Sequence, residues 1–551
     1  MLVPFFHHPR QFLTPLRRDG VIALAAVTAH LLYLLAAQMG RGHFGFPLDD
    51  AWIYQAYARN LAQTGQWAFV PGVPSSGSTS VLWTLMVVPG HLLPLDPRLW
   101  TQAMGLLMLT ALGLGAARLF PTRSLHFSLA LGVAAVLEWH LVWAATSGME
   151  TALFAALLVW FWVWMRQHDP AVRGHRWQDG LWLGVWGGVL LLARPEGVLA
   201  AGVAGLYSLL KRGRPLDTVR WAALAGVGFA LLLAPFLALN LSTSGTLWPN
   251  TFYAKQTEYA VLWQMPYPRR LFDQAAVVFV GPQAVLIPAL AVEIVRLVRR
   301  RPFDGAEVLP LGWVLLHWAL YAARLPVTYQ HGRYAMPTVP LVVAYGVRGM
   351  VNIIRPRAQQ RAVRVGSLTW LLAVAALFPL FLAVLGAPAY AQDVDFIEME
   401  MVATAHWLAE HTAPEAVIAA HDIGALGYFA PRPLVDLAGL VSPDVLPYMQ
   451  DADALHAYIL ASGAEYLVIF PAWSETYARL VARPTYLPIW SAAEQAGYRP
   501  LSDLGPMTVY EVRHVGDFPR RAGLTPDISP LLCLRERELL SGCLPYRGVI
   551  D

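Results

Sequence analysis

The sequence predicts an α-helical, polytopic membrane protein that carries a small α/β domain at its carboxyl end. Three observations carry that reading. Of its 551 residues 56% are hydrophobic and only 14% are charged, too apolar for an ordinary water-soluble chain. Runs of about 20 apolar residues recur, each long enough to cross a hydrocarbon core about 30 Å thick. Past residue 391 the pattern changes to short strand-like runs that alternate with helical ones.

The first apolar run, Val21–Met39, follows Arg17 and Arg18 in the manner of a signal peptide. Many more runs follow it, so it reads as an uncleaved first helix. Apolar segments fall at about 20–40, 79–95, 99–119, 125–146, 150–166, 180–194, 196–211, 219–241, 272–296, 308–325, 334–354 and 366–388. Basic groups lie between them, at Arg17/Arg18, Arg118/Arg123, Arg166/Arg173/Arg176, Lys211/Arg212/Arg214/Arg220, Arg296/Arg299/Arg300/Arg301 and Arg348/Arg355/Arg357/Arg361/Arg364. The positive-inside rule puts each group on the cytoplasmic side. Segment 79–95 then breaks the alternation. It contains Pro89 and Gly90 and reads as a re-entrant element or a pair of short helices. Eleven crossings plus this element is the expected topology, and thirteen is the alternative.

The expected organisation is a membrane domain over 1–390, with a first external loop at 41–78, and an extracytoplasmic α/β domain over 391–551. In the latter, an amphipathic stretch from Phe396 to His411 leads to strand-like runs at 416–420, 433–437, 466–470 and 507–512. His421–Phe429 reads as a loop and short helix. The only cysteines, Cys533 and Cys543, lie in the tail; export would permit a disulfide there, and a reduced pair is equally compatible. The formal charge of +4 gives no case for nucleic acid. No internal repeat or Gly-rich dinucleotide fingerprint is present.

This topology sorts the polar motifs. Asp49-Asp50, Ser147-Gly-Met-Glu150, Arg194-Pro-Glu-Gly197, Pro249–Lys255 and Gln330-His-Gly-Arg-Tyr334 all fall on the outer side. The active surface is therefore expected outside. Two adjacent carboxylates beside a bilayer are costly to desolvate, so they need a hydrated pocket or a task. Asp50, Tyr54 and Ala58 share one face of a helix at i, i+4, i+8, with the carboxylates at its positive end. A helix cap would need one such residue, and here there are two.

The run Asp50…Tyr54…Ala58-Arg59…Gly65-x-Trp67 resembles the first external loop of the GT-C superfamily of glycosyltransferases, polytopic enzymes that use polyprenyl-phosphate sugars. It is similar to that of lipid A aminoarabinose transferases and protein O-mannosyltransferases, whose catalytic aspartate matches Asp50. The paired Asp-Asp, with Ser-Gly-Met-Glu and His-Gly-Arg-Tyr downstream, looks closer to mycobacterial-type arabinofuranosyltransferases. The resemblance covers roughly 20–390. Ser76-Gly-Ser-Thr-Ser80 stands where the aminoarabinose transferases carry Lys-Pro-Pro, so their particular donor and acceptor do not carry over.

The resemblance implies an inverting sugar transfer from a polyprenyl-phosphate donor to a glycan, lipid or protein acceptor at the outer face of the cytoplasmic membrane. Asp50 is then the general base. Asp49 orients the acceptor or helps to hold a divalent cation, and two carboxylates alone do not make a metal site. The leaving phosphate calls for fixed cations. Lys255 is first among them, one of only two lysines in the chain, with Lys211. Arg333 and Arg194 follow, Arg194 alternatively serving as ion-pair partner of Glu196 or Glu150. His331 is a phosphate or sugar ligand or a plain loop residue. Glu150 lines the site or only opens a helix. Tyr253, Trp67 and Trp248 stack on sugar or polyprenyl chain, or serve as interfacial anchors. His421-Asp422 closes the site from above or forms a turn. The rival readings are a lipid-linked-sugar flippase or other transporter, and a polymerase or ligase of envelope polysaccharide.

Overall fold

The computed structural model describes residues 14–122, 124–211, 213–300, 304–354 and 361–513. Among these, six helices are long and apolar enough to cross a membrane, and eight when each of two bent pairs is taken as one span. The pairs are Leu125–Val136 with Trp139–Thr146, bent by 57°, and Tyr267–Phe279 with Pro282–Arg299, bent by 101°. The expected segments 150–166, 180–194 and 196–211 form the shorter helices Thr151–Gln167, Trp177–Ala193 and Val198–Leu209. Each of the eleven expected crossings thus has a helix or a bent helix pair, the shortest, Val198–Leu209, being prolonged at its start by the 3-10 turn Pro195–Gly197.

Segment 79–95 is the exception, as its arginine bookkeeping required. It folds as Val81–Val87 and Pro89–Leu92, two short helices joined at Val88. Their combined rise of about 18 Å falls well short of a bilayer core of about 30 Å.

Close helix contacts rest on small residues, since lipid supplies no hydrophobic drive between helices. Trp177–Ala193 packs on Pro215–Ser244 through Gly180 and Gly184. A Cβ at these positions would lie 2.2 Å from the Trp221 carbonyl oxygen and 2.0 Å from that of Ala225.

From Arg361–Phe381 one helix runs through Ala387–Ile397 to Ala403–His411, widening to π turns at Leu382–Gly386 and Glu398–Val402. The change of composition near residue 391 therefore falls inside a continuous helix. The α/β domain sits at its end. Strands β1 (Ala68–Val70) and β2 (Val73–Pro74) form a hairpin in the first loop, and the domain adds β3 (Ile418–Ala420), β4 (Leu434–Asp436), β5 (Tyr466–Ile469), β6 (Tyr486–Ser491) and β7 (Thr508–Val512). The order is β4-β3-β5-β7-β6, with β4, β3 and β5 parallel and β7 and β6 antiparallel. Ala419, Leu437, Leu455, Ile459 and Leu467 form its own small core. Strand β6 was not expected, because Pro488 interrupts its pattern; as an edge strand it tolerates the missing amide. Cys533 and Cys543 lie outside the described residues.

Candidate active site

The helix Asp49–Thr64 opens at Leu48 without a side-chain cap and carries both aspartates in its first turn. It closes at Gly65, whose φ of 70° few other residues adopt readily. Tyr54 and Ile53 share the Asp50 side of this helix and line one cavity with it. Tyr57, on an adjoining face, binds the serine-rich segment, accepting the Gly77 amide at 2.7 Å and meeting the Ser75 hydroxyl at 2.7 Å. That segment in turn holds the helix Asn250–Glu258: the Asn250 amide donates to the Ser76 carbonyl and the Thr251 hydroxyl to that of Gly77. Lys255 is placed through this chain of contacts.

Arg333 arrives from the other side. Gln330 and His331 adopt positive φ, 54° and 56°, and Gly332 follows at 69°. Left-handed geometry costs a residue with a side chain roughly 1–2 kcal/mol, and such strain concentrates at functional sites. The turn sends neighbouring residues to different places. Arg333 enters the cavity, with Nη2 2.7 Å from Asp50 Oδ2 and 3.0 Å from the Tyr334 hydroxyl. Its Nε and Nη1 are buried and have no hydrogen-bond partner among the described residues.

A second charged group stands beside the first. Arg194 Nε lies 2.7 Å from Glu196 and its Nη1 3.5 Å from Glu150. Glu150 accepts the Tyr54 hydroxyl at 2.8 Å. Arg194 is therefore the ion-pair partner of both glutamates, and all three line the cavity.

The two aspartates part company. Asp49 turns to the α/β domain, where its carboxylate accepts the amides of Gly424 (2.6 Å) and Ala425 (2.8 Å) at the start of Gly424–Phe429. Burial and the neighbouring Asp422 push it up to about 7. Burial would raise Asp50 too, but Arg333 and Lys255 outweigh it and hold Asp50 below its ordinary value. Lys255 is well above the usual lysine range: burial opposes its charge, and Glu258, 3.2 Å away, overcomes this. Glu258 is held down at about 2, burial being outweighed by Lys255 and His421.

Asp50, Tyr54, Glu150, Arg194, Lys255 and Arg333 thus line a single cavity of about 390 Å³. Trp248, Phe252, Leu320 and Leu325 form part of its apolar wall, and Leu440 reaches in from the α/β domain. Besides Asp49, three expected site residues lie outside the cavity. His331 is carried away by its left-handed backbone and sits 2.8 Å from Asp393. Tyr253 points out of the cavity, 37% exposed, because it follows Phe252 on the helix by about 100°. Trp67 packs on Tyr57 rather than in the cavity. Glu258 and Arg324 were not foreseen, though Glu258 had a local signal, three residues after Lys255 on one helix; Tyr334 lay within the Gln330–Tyr334 motif without a role of its own.

Asp49 is the expected helper at an acceptor or a cation. Both its oxygens are taken by backbone amides, and among the described residues no group of three or more His, Cys, Asp or Glu is placed to hold a metal ion.

A domain family of unknown function, DUF8728, matches residues 388–517. No curated protein matches the sequence. Among solved structures, ArnT from Cupriavidus metallidurans bound to undecaprenyl phosphate superposes with a TM-score of 0.57 at 16% identity, covering 91% of this chain and 99% of its own. The archaeal oligosaccharyltransferase AglB from Archaeoglobus fulgidus, in complex with an inhibitory peptide and a dolichol-phosphate, gives 0.53 at 11%, covering 92% and 75%. The chain has the GT-C fold. Arabinofuranosyltransferase AftD from mycobacteria is also similar, at 0.46 and 16% identity, covering 89% of this chain and 41% of its own. Within the GT-C fold, the cavity lies where the first loop helix, the Lys255 helix and the Arg333 turn converge.

Proposed function

We propose that the chain is an inverting glycosyltransferase that moves a sugar from a polyprenyl-phosphate donor to an acceptor hydroxyl at the outer face of the cytoplasmic membrane. One observation carries the reading: a carboxylate, Asp50, shares a cavity with Lys255 and with Arg333, whose remaining donors are buried and unpartnered. The ArnT and AglB structures, with undecaprenyl phosphate and dolichol-phosphate respectively, support it by fold. The distribution of arginines supports the outer location.

Asp50 is ionised at neutral pH and takes the proton of the acceptor hydroxyl as that oxygen attacks the anomeric carbon. The bond from this carbon to the phosphate oxygen breaks on the opposite face, and the electron pair leaves with the lipid phosphate. Arg333 and Lys255 stabilise the charge that develops there. A guanidinium suits phosphate because its fork can donate two parallel hydrogen bonds. The apolar wall accommodates the first isoprene units.

The test is a panel of undecaprenyl-phosphate sugars given to the purified protein in proteoliposomes with candidate acceptors. Release of undecaprenyl phosphate with glycoside formation is expected for at least one donor. Movement of a lipid-linked sugar across the bilayer without bond cleavage would establish a flippase instead. Turnover of only pyrophosphate-linked oligosaccharides would establish a polymerase or ligase.

A further inference from the structure

Beside Leu440, which lines the cavity, the α/β domain brings the segment 421–425 up to Glu258 and Asp49 at its edge. His421 directly follows β3, and its Nε2 lies 3.4 Å from Glu258 Oε1, while Lys255 Nζ lies 3.2 Å from Glu258 Oε2. A single buried carboxylate thus hydrogen-bonds the lysine of the cavity through one oxygen and faces an imidazole from the other domain at ion-pair distance, without a hydrogen bond, through the other. All three side chains are largely withdrawn from water, at 15% exposure for Lys255, 7% for Glu258 and 8% for His421. The imidazole is fixed in orientation. Its Nδ1 is 3.3 Å from Asp422, and its ring packs against Trp473 and Tyr477, with centroids 4.9 and 5.5 Å away.

We infer that His421 is a positioning residue for Lys255, drawing on the Glu258 carboxylate so that the ammonium is released to an incoming lipid phosphate. The inference rests on the donor reading above. A phosphate that enters the cavity competes with Glu258 for Lys255. A cation on the far oxygen of Glu258 weakens that competitor, because the carboxylate's charge is shared between two partners. Burial would lower the His421 pKa, but Asp422 and Glu258 raise it to about 10, so the imidazole is cationic at neutral pH. Asp436 also feels the His421 charge. The same segment supplies the amides of Gly424 and Ala425 to Asp49, the neighbour of Asp50. Docking of the α/β domain and readiness of the phosphate site are therefore one event.

Two measurements test this on the full-length protein, with His421→Gln, Glu258→Gln and the double variant. The first is the rate of reductive methylation of Lys255 relative to Lys211, the only other lysine, read by peptide mass spectrometry. His421→Gln leaves Glu258 to Lys255 alone, keeps the ammonium more fully protonated and slows methylation. If His421 served only packing, its loss would loosen the domain, expose Lys255 and speed the reaction. An unchanged or faster rate overturns the inference whatever the substrate is.

The second measurement is the affinity for undecaprenyl phosphate. His421→Gln is expected to weaken it about tenfold with kcat largely kept. Adding Glu258→Gln removes the competitor and restores the affinity. A double variant as weak as His421→Gln overturns the inference. Should the parent protein bind no undecaprenyl phosphate while Lys255 methylation still slows in His421→Gln, the positioning of Lys255 stands and the donor reading fails.

Discussion

Arg333 gives one guanidinium nitrogen to Asp50, at 2.7 Å, while its Nε and Nη1 lie buried without a partner. An unsatisfied buried donor costs about 1–3 kcal/mol, so this arrangement asks for an anion. In the proposed mechanism the base and the leaving-group cation are also coupled: Arg333 keeps Asp50 ionised before the donor arrives, and a phosphate on the free edge of Arg333 would relieve part of that hold, raising the basicity of Asp50 when substrate is present.

Arg333→Lys keeps the charge and loses the fork. We expect kcat/KM for the donor to fall by about 10²–10³, with a smaller effect on acceptor KM. Steady-state kinetics with donor and acceptor varied separately check this.

Asp50→Asn removes the base and leaves the helix, Arg333 and the cavity in place. Transfer should fall by about 10²–10⁴, while undecaprenyl phosphate still binds. Turnover at the parental rate would remove Asp50 from the chemistry.

Asp49→Ala deprives the Gly424 and Ala425 amides of their acceptor. The predicted cost to docking of the α/β domain is about 1–3 kcal/mol. Hydrogen exchange should accelerate at residues 424–429, and the loss of activity should be smaller than in Asp50→Asn.

Stability should depend on pH in a defined direction. His421, raised from 6.5 to about 10, stabilises fully below 6.5 and loses its contribution as pH climbs towards 10. Glu258, lowered from 4.5 to about 2, contributes above 4.5 and loses its contribution as pH falls towards 2. Asp49, raised from 3.8 to about 7, reduces stability as pH rises through that interval. The thermal midpoint should therefore decline from mildly acidic to alkaline pH. In His421→Gln the alkaline part of that decline should flatten, which melting curves across the range will show.

Orientation is testable by thiol labelling of Val73→Cys and Ser462→Cys in a Cys533→Ser/Cys543→Ser background. Val73 is 59% exposed in the hairpin, and Ser462 follows a helix of the α/β domain. Both should react with an impermeant reagent from the outer side. Protection of either in intact cells with labelling only after lysis would reverse the topology.

The helices, the failure of segment 79–95 to span, and four of the five strands of the α/β sheet follow from apolar run length, arginine placement and local patterning. Those signals are local, each written within a few tens of residues. The Asp49-Asp50 pair was legible for the same reason, as was Arg194 beside Glu196. The partners of the site were not. Asp50 meets Arg333 across 283 residues and Asp49 meets Gly424 across 375. His331 and Arg333 are both phosphate candidates in the sequence, Arg333 ahead, and the left-handed turn at Gln330 and His331 sends Arg333 into the cavity and His331 to Asp393. Glu258 and His421 likewise gain their significance when docking places both on one side of Lys255. The sequence by itself determined a membrane-embedded helical protein with an acidic pair at the head of its first loop helix. The tertiary structure decided that Asp50 faces the cavity and Asp49 the α/β domain, because packing between distant segments, rather than local periodicity, sets which charge meets which.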